Sequence, residues 1–353
     1  MAQRGIREYD AKNLLARYLP EYLDDFSYKG NLALVGPETD IEELEAENPW
    51  LKTTRLVVKP DQLFGKRGKL GLVLLDADWE EAKEYLNEKM GLEVTIGGIT
   101  GRLSYFLIEP FTPHKEEYYV AISSDYEGDN IFFSMDGGVG VEENWEKVIS
   151  IHVDSLEGID ALDVGSKLPA ELGDKRALVE EFITALWRFY SDTGFAYLEI
   201  NPFTFLGREI VPLDMVAKLD DAEEYWQKKR WSDLAFPEPF GRTPSKEELF
   251  IKEIDSKTGA SLKLTILNPE GRVWTMVAGG GASVIYADTI CDLGHAYEMA
   301  NYGEYSGDPN TEETYHYTCT ILDLMTRSKN PMGKVLLIGG AIANFTDVAK
   351  TFK

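Results

Sequence analysis

Cysteine is scarce in this sequence, since only Cys291 and Cys319 occur among 353 residues. So few cysteines exclude a disulfide-stabilised secreted scaffold and indicate a reducing, cytoplasmic setting. The N-terminal residues also lack the apolar segment of a signal peptide. Both cysteines lie in apolar helical contexts, so we expect them to be buried free thiols.

Basic residues and long apolar runs are lacking as well. The chain has 36 lysines and arginines against 61 acidic residues, a net charge of −25. This balance opposes non-specific nucleic-acid binding, because phosphate contacts are made largely by lysine and arginine. No apolar run approaches the roughly 18 residues that span a bilayer. We therefore expect a soluble, globular protein of about two or three domains that binds neither nucleic acid nor membrane.

One segment carries the positive charge that the rest of the chain lacks. Residues 59–71 contain the cations Lys59, Lys66, Arg67 and Lys69, with glycines between them. Apolar runs flank the segment on both sides. This arrangement is typical of a hairpin or loop that lies over phosphate groups.

Strand-to-helix turns rich in small residues mark a second kind of anion site. The apolar strand 335–338 is followed by glycines and then by the run 343–346, and similar turns occur at 278–283 and 305–308. Unpaired backbone N–H groups and the positive end of a helix dipole favour a carboxylate or phosphate at such a turn. Three of them in the last hundred residues indicate a ligand site.

The periodicity of apolar residues divides the chain into two parts. Before Phe236, short strands predominate, with helices predicted at 79–90 and 175–190. Strands are predicted at 32–35, 55–58, 72–75, 105–108, 118–122, 131–134, 196–200 and 210–213. A proline-rich stretch then ends in a capping box of Ser245 and Glu248, which starts a helix. We predict domains at 1–235 and 249–353, joined by a linker at 236–248.

The second part alternates strands with helices. Strands are predicted at 262–267, 273–277 and 335–338, and helices at 283–293 and 311–325. This alternation indicates a doubly wound parallel sheet, so the whole chain combines an α+β part with an α/β part.

A metal site is predicted where two strands meet around the turn at Gly207. Asn201 ends the first strand and Asp214 follows the second, so antiparallel pairing would bring their oxygens together. Mg²⁺ needs few protein oxygens when nucleotide phosphates supply the others. The alternative is that Asn201 caps a turn before Pro202 and Asp214 is a solvated strand residue.

Several motifs together resemble one family. They are LVVKPDQL at 56–63, RGKLGLV at 67–73, FLIEPF at 106–111, YLEINPF at 197–203, ANYGEYSG at 300–307 and IANFT at 342–346. Over essentially its whole length the chain resembles the succinyl-CoA-ligase-β-like half of the ATP-citrate lyase family. The resemblance implies an N-terminal ATP-grasp domain followed by a flavodoxin-like citrate-binding domain that is incomplete at its C-terminal end.

The resemblance also implies roles for individual residues. Lys59, Lys66, Arg67 and Gly68 would contact the phosphates of ATP or ADP, and Pro110, Thr112 and Glu117 would line the adenine and ribose side. Mg²⁺ would be held by Asn201 and Asp214. Citrate would be bound by Gly307, Asn344, Phe345 and Thr346, and the family's subunit continues past the position of Lys353 to supply an arginine to citrate.

The family reaction implies a partner. ATP phosphorylates a histidine, and the phosphoryl group then passes to citrate. CoA attacks, and the product is cleaved to acetyl-CoA and oxaloacetate. The phosphohistidine belongs to a large α-type subunit with a citrate-synthase-like domain, which also makes most CoA contacts. No catalytic residue is therefore expected here, and His114, His152, His295 and His316 are interpreted as surface or packing residues.

Two alternatives remain open at this point. A citryl-CoA synthetase subunit would share the first steps but release citryl-CoA to a separate lyase. A non-catalytic nucleotide or citrate sensor would need no partner, although the intact set of Lys59, Asn201 and Asp214 argues against it.

Overall fold

A computed structural model of the chain describes residues 3–24, 28–257 and 259–340. The chain forms two compact units, Met1–Arg242 and Thr243–Lys353, so the boundary lies inside the segment predicted to be a linker. Among the described residues, no helix combines the length and apolarity needed to cross a membrane.

The first unit is built mainly from antiparallel strands. In chain order they are β1 (Gln3–Ile6), β2 (Ala33–Val35), β3 (Leu56–Pro60), β4 (Leu74–Ala77), β5 (Glu93–Ile96), β6 (Ile99–Arg102), β7 (Phe106–Pro110), β8 (Tyr118–Ser124), β9 (Gly128–Ser134), β10 (Ile149–Asp154), β11 (Phe195–Leu206), β12 (Glu209–Pro212) and β13 (Met215–Asp220). Its α-helices are α1 (Glu8–Tyr18), α2 (Ile41–Glu47), α3 (Trp79–Lys89), α4 (Gly140–Glu143), α5 (Val164–Lys167) and α6 (Arg176–Thr193).

Two larger sheets and one hairpin organise these strands. The seven-stranded sheet has the order β1-β13-β11-β8-β9-β10, with β12 also paired to β11, and the four-stranded sheet has the order β2-β7-β3-β4. β5 and β6 form the hairpin. Each larger sheet has its own hydrophobic core. α1 and α6 contribute to the core of the seven-stranded sheet, and α3 contributes to the other.

Helix α6 shows how the sequence pattern produces this packing. Its apolar residues Phe182, Ile183, Leu186 and Phe189 recur at helical spacing and are all fully buried against the seven-stranded sheet. The helix ends at Gly194, whose φ of 75° is the left-handed conformation that favours glycine at a helix C-terminus. The predicted helix is therefore confirmed.

The second unit has α/β character, as predicted. Its elements are α7 (Lys246–Asp255), β14 (Ser261–Ile266), β15 (Val273–Val277), α8 (Gly280–Ile290), β16 (Asn301–Ser306), α9 (Thr311–Thr326) and β17 (Val335–Gly339). β15 and β17 are parallel, as expected for a doubly wound sheet, whereas β14 and β16 are antiparallel. The predicted capping box is present, since the Ser245 hydroxyl accepts from the Glu248 N–H and the Glu248 carboxylate accepts from the Ser245 N–H.

The prediction of buried cysteines is wrong, because Cys291 and Cys319 are both exposed free thiols. Tyr317 and Ile321 of α9 face the core, and Cys319 lies between them in sequence on the opposite side of the helix. Cys291 opens a π-helical turn that follows α8, and Ile290 rather than Cys291 points inward there.

Candidate functional site

A cavity of about 690 Å³ lies in the first unit. Every residue predicted above for phosphate, base, ribose or metal binding lines it. These residues are Lys59, Lys66, Arg67, Gly68, Pro110, Thr112, Glu117, Asn201 and Asp214. They come from the ends of β3 and β7, from the connections that follow those strands, and from β11 and the turn after β12. The fold thus gathers residues that are up to 155 positions apart in sequence, counted from Lys59 to Asp214.

Two of the lining cations are buried and already paired. The Lys59 Nζ donates to Glu8 Oε1, to Glu109 Oε1 and to the Leu213 carbonyl oxygen, each at 2.7 Å. The Arg67 guanidinium donates to the Pro60 carbonyl at 2.9 Å, to Glu8 Oε2 at 2.6 Å and to the Asp214 carboxylate. These pairs hold both cations in defined positions at the cavity wall.

A third buried cation, Lys12 of α1, was missed by sequence reasoning. Its side chain has no exposed surface, and its Nζ lies 2.8 Å from Glu8 Oε1 and 2.6 Å from Glu109 Oε2. It also donates to the Leu213 carbonyl oxygen at 3.1 Å. Glu8 and Lys12 are four residues apart on one helix face, which was the available signal. We call Glu8, Lys12, Lys59, Arg67, Glu109 and Asp214 the charge cluster.

The charge cluster sets the protonation of its members. Burial alone would raise the pKa of Glu8, but the charges of Lys12, Lys59 and Arg67 outweigh burial and hold that pKa well below the ordinary range. Burial alone would lower the pKa of Lys12, but its neighbouring carboxylates keep that pKa above the usual lysine value. Glu8 and Lys12 are therefore charged at neutral pH.

The two predicted metal residues lie side by side. The turn at Gly207 joins β11 and β12 in an antiparallel pair, as predicted. The Asn201 N–H donates to the Asp214 carbonyl at 2.9 Å, which places both side chains on the same face of the sheet. Burial and then the charge of Glu8 raise the pKa of Asp214, while Arg67 opposes them. The Asp214 side chain is 39% exposed, so a ligand in the cavity can reach it.

Lys66 and Gly68 lie on the connection between β3 and β4, and both are exposed. The two strands pair antiparallel, so the predicted hairpin over the site is present. Lys66 has a φ of 65°, in the left-handed region that is uncommon for residues other than glycine. The connection therefore presents backbone and cationic groups at the open side of the cavity.

Three of the four histidines, which were interpreted from sequence as surface or packing residues, do not line this cavity. His152 and His295 are exposed, and the His316 side chain is 44% exposed. His114 differs, because it lines the cavity beside Thr112 and Glu117. Its interpretation as an ordinary surface or packing residue is incomplete for that reason.

A pair of buried carboxyl groups lies at the start of α1, and its titration should be visible in stability. Burial, reinforced by Asp61, raises the pKa of Asp10 to about 7 against the opposing charge of Arg7. Burial and Glu8 raise the pKa of Asp61 to about 6. The folded chain therefore keeps protons that the unfolded chain releases above about pH 4. The stability that Asp10 and Asp61 contribute is fully present below about pH 4 and is lost as the pH rises to about 7.

Replacing Asp10 with asparagine is expected to flatten this pH dependence. Asparagine carries no charge to desolvate, so the variant should gain stability relative to wild type as pH rises from 5 to 8. Urea unfolding at the two pH values measures the difference. If the free energy of unfolding of Asp10→Asn changed between pH 5 and pH 8 as much as that of wild type, the assignment of the proton to this pair would be contradicted.

In the second unit, only part of the predicted citrate site can be described. Asn344, Phe345 and Thr346 lie outside the described residues. Gly307 directly follows β16 and has a φ of 72°, and a Cβ there would lie 3.2 Å from the Gly259 carbonyl oxygen. The helix predicted at 311–325 is present as α9, which begins at Thr311 and is capped by Asn310. The turn after β15 does lead directly into α8, as predicted.

Comparison with known proteins agrees with this organisation. A model of the ATP-citrate synthase ATP-grasp domain matches residues 2–231, and a model of the ATP citrate lyase citrate-binding domain matches residues 242–353. The chain is 48% identical to ATP-citrate synthase alpha chain protein 2 of Oryza sativa subsp. japonica, with 100% of this chain and 83% of that protein covered. It is also 48% identical to ATP-citrate synthase of Homo sapiens, covering 100% of this chain but only 32% of that protein.

A solved structure is closer still. The structure of ATP citrate lyase from Methanothrix soehngenii in complex with citrate and coenzyme A is 96% identical, with a TM-score of 0.91. The match covers 100% of this chain and 84% of that one. The chain belongs to the ATP-citrate lyase family of ATP-dependent enzymes and consists of its ATP-grasp domain followed by its citrate-binding domain.

Proposed function

We propose that this chain is the nucleotide- and citrate-binding subunit of a cytoplasmic ATP-citrate lyase that works with a separate phosphohistidine subunit. Together they convert citrate, CoA and ATP to acetyl-CoA, oxaloacetate, ADP and phosphate. The observation that carries this proposal is the cavity in the first unit, where cations and hard oxygen donors line one wall. The ATP phosphates lie against Lys59, Lys66, Arg67 and Gly68, and the base and ribose lie toward Pro110, Thr112 and Glu117.

Mg²⁺ fits the oxygen donors of this cavity. An amide oxygen from Asn201 and a carboxylate from Asp214 are ligand types that Mg²⁺ prefers. Among the described residues there is no cluster of three histidine, cysteine, aspartate or glutamate side chains that could hold a metal alone. Nucleotide phosphates and water would complete the coordination, so metal and nucleotide are expected to bind together. The bound metal neutralises phosphate charge, and this chain's residues position it.

Members of the charge cluster would change hydrogen-bond partners when Mg-ATP binds. Arg67 is shared by Glu8 and Asp214 in the structure. Asp214 would be one of the residues that hold the metal, and Arg67 would keep Glu8 while donating to a phosphate oxygen. Lys12 would remain paired with Glu8 and Glu109, so Lys59 would be available to a phosphate oxygen.

The proposal assigns the remaining steps of the family reaction to a second subunit. This chain spans only about a third of the human relative, since 32% of that protein is covered. The phosphohistidine and most of the CoA contacts belong, in this proposal, to that second subunit. Its own role is to bind Mg-ATP and citrate and to present both to that histidine.

Two measurements test the proposal. Calorimetry should detect Mg-ADP binding to the chain alone, with much weaker binding in EDTA. With ATP, Mg²⁺, citrate and CoA, the chain alone should form no oxaloacetate until a phosphohistidine subunit is added. Release of citryl-CoA from the mixture would favour a synthetase, whereas nucleotide binding without turnover in any mixture would favour a sensor. Turnover by the chain alone would contradict the split between subunits.

The citrate site is proposed at Gly307 and residues 344–346, where backbone N–H groups and short polar side chains suit a tricarboxylate. Gly307→Ala is expected to weaken citrate binding and to cost about 1–2 kcal/mol of stability, because alanine is strained at a positive φ. Gly333 is a matched control in the same unit, since its φ is 80° and no atom lies within 4 Å of a Cβ built there. Gly333→Ala should lose stability similarly yet bind citrate normally. Equal loss of citrate affinity in both variants would remove Gly307 from the site.

A further inference from the structure

We propose that His114 is a positioning residue that fixes the groups facing the base and ribose of the nucleotide. This inference rests on the nucleotide site proposed above and adds a residue to it. His114 lies in residues 111–117, the connection that leads from β7 of the four-stranded sheet to β8 of the seven-stranded sheet. The connection therefore joins the two halves of the first unit beside the cavity.

Both ends of this connection are fixed by backbone hydrogen bonds. The Phe111 N–H donates to the Arg55 carbonyl oxygen at 2.7 Å, next to β3. At the other end, the Gly137 N–H donates to the Glu117 carbonyl oxygen at 2.8 Å, next to β9. Between these points the shape of the connection depends on side chains, and His114 lies in the middle.

The His114 ring bridges the two residues of this connection that are proposed to contact nucleotide. Its Nδ1 lies 2.7 Å from the Thr112 carbonyl oxygen, and its Nε2 lies 3.1 Å from Glu117 Oε1. The carbonyl oxygen and the carboxylate oxygen are both hydrogen-bond acceptors, and each faces one nitrogen of the ring. The ring thus sets the direction of the Thr112 carbonyl and the Glu117 carboxylate together.

The second oxygen of Glu117 is confined from the other side by Gly138. A Cβ on Gly138 would lie 2.4 Å from Glu117 Oε2, and Gly138 has a φ of 66°. The Gly138 N–H in turn donates to Asn201 Oδ1 at 2.7 Å. His114 and Gly138 therefore hold Glu117 between them, and the contacts continue to a proposed metal residue.

The positions of these contacts predict that His114 and the phosphate-binding residues affect the affinity for different parts of the ligand. Its partners, Thr112 and Glu117, face the base and ribose, whereas Lys59, Arg67 and Asp214 face phosphate and metal in the proposal. Loss of the His114 bridge should weaken the binding of a ligand that has a base and a ribose. The same loss should not change the binding of a ligand that consists only of metal and phosphates.

The test compares Mg-ADP with Mg-pyrophosphate in three variants. His114→Leu removes both donors and should weaken Mg-ADP binding roughly 3- to 10-fold, the range of one or two net hydrogen bonds, without changing competition by Mg-pyrophosphate. His114→Asn can restore the donor to Thr112 and His114→Gln the donor to Glu117, so both should bind Mg-ADP better than His114→Leu. His152→Leu is the matched control, because His152 is an exposed histidine of β10 whose Nδ1 lies 3.1 Å from Asn130 Oδ1 and which does not line the cavity.

Three results would overturn the inference, and they differ from one another. Wild-type Mg-ADP affinity in His114→Leu would show that the bridge has no role in binding. Equal weakening of Mg-ADP and Mg-pyrophosphate would show a general loss of structure at the site. Absence of Mg-ADP binding by the wild-type chain would instead remove the proposed nucleotide site, and the role of His114 with it.

Discussion

Replacing Asp214 with asparagine is expected to reduce Mg-ADP affinity by about 100-fold or more, since even changes next to metal ligands cost 10- to 100-fold. Asp214 supplies the only charged oxygen of the proposed pair of protein ligands, and asparagine keeps the shape without the charge. The variant also leaves Arg67 with Glu8 as its remaining carboxylate, so affinity for metal-free ADP should stay the same or increase. Calorimetry in Mg²⁺ and in EDTA measures the two effects separately.

Glu209 offers a matched control for this prediction. It lines the same cavity and carries the same charge, but it has no proposed metal role. Glu209→Gln should therefore leave Mg-ADP binding within about 3-fold of wild type, the change expected from a distant charge in a screened site. If Asp214→Asn and Glu209→Gln have the same affinity for Mg-ADP, Asp214 does not hold the metal.

Replacing Lys12 with methionine is expected to lower the free energy of unfolding by about 3–5 kcal/mol, the usual cost of removing one partner from a buried ion pair. The substitution leaves Glu8 and Glu109 with Lys59 and Arg67 alone. The lowered pKa of Glu8 contributes stability that is present above the ordinary glutamate pKa and is lost as pH falls below it. The difference between variant and wild type should therefore shrink below about pH 4.

Lys147 is the matched control for Lys12. It makes a single 2.7 Å pair with Asp136, and both side chains are about half exposed, at 56% and 49%. Lys147→Met should unfold at the same urea concentration as wild type. The double variant Lys12→Met with Glu8→Gln should lose less stability than the sum of its single changes, because it removes part of the unpaired charge. If Lys12→Met had the same free energy of unfolding as wild type at pH 7, the assigned role of the charge cluster would be contradicted.

Local signals in the sequence were sufficient for some elements and for much of the site. Ser245 and Glu248 are close enough to form one capping box, so the start of α7 could be read directly. The turn at Gly207 fixed the pairing of β11 with β12 and thereby the proximity of Asn201 and Asp214. In these cases the interacting residues are close in sequence or share one turn.

Other elements depend on partners that are distant in sequence. β1 has only four residues, and its pairing partner β13 begins at Met215, so its own pattern carries little information. β16 buries Asn301, Gly303 and Tyr305, and two of these are not apolar, so alternation does not reveal the strand. Glu109, the partner of Lys12, lies 97 residues away in sequence, and only the fold brings the two side chains into contact.

The charge cluster also has a consequence for how the first unit unfolds. α1 belongs to the core of the seven-stranded sheet and supplies Glu8 and Lys12, whereas β3 and β7 belong to the four-stranded sheet and supply Lys59 and Glu109. Opening either half alone would leave unpaired charges in the other. The two cores are therefore thermodynamically coupled, and amide hydrogens in both should exchange with solvent through one cooperative opening rather than through two independent ones.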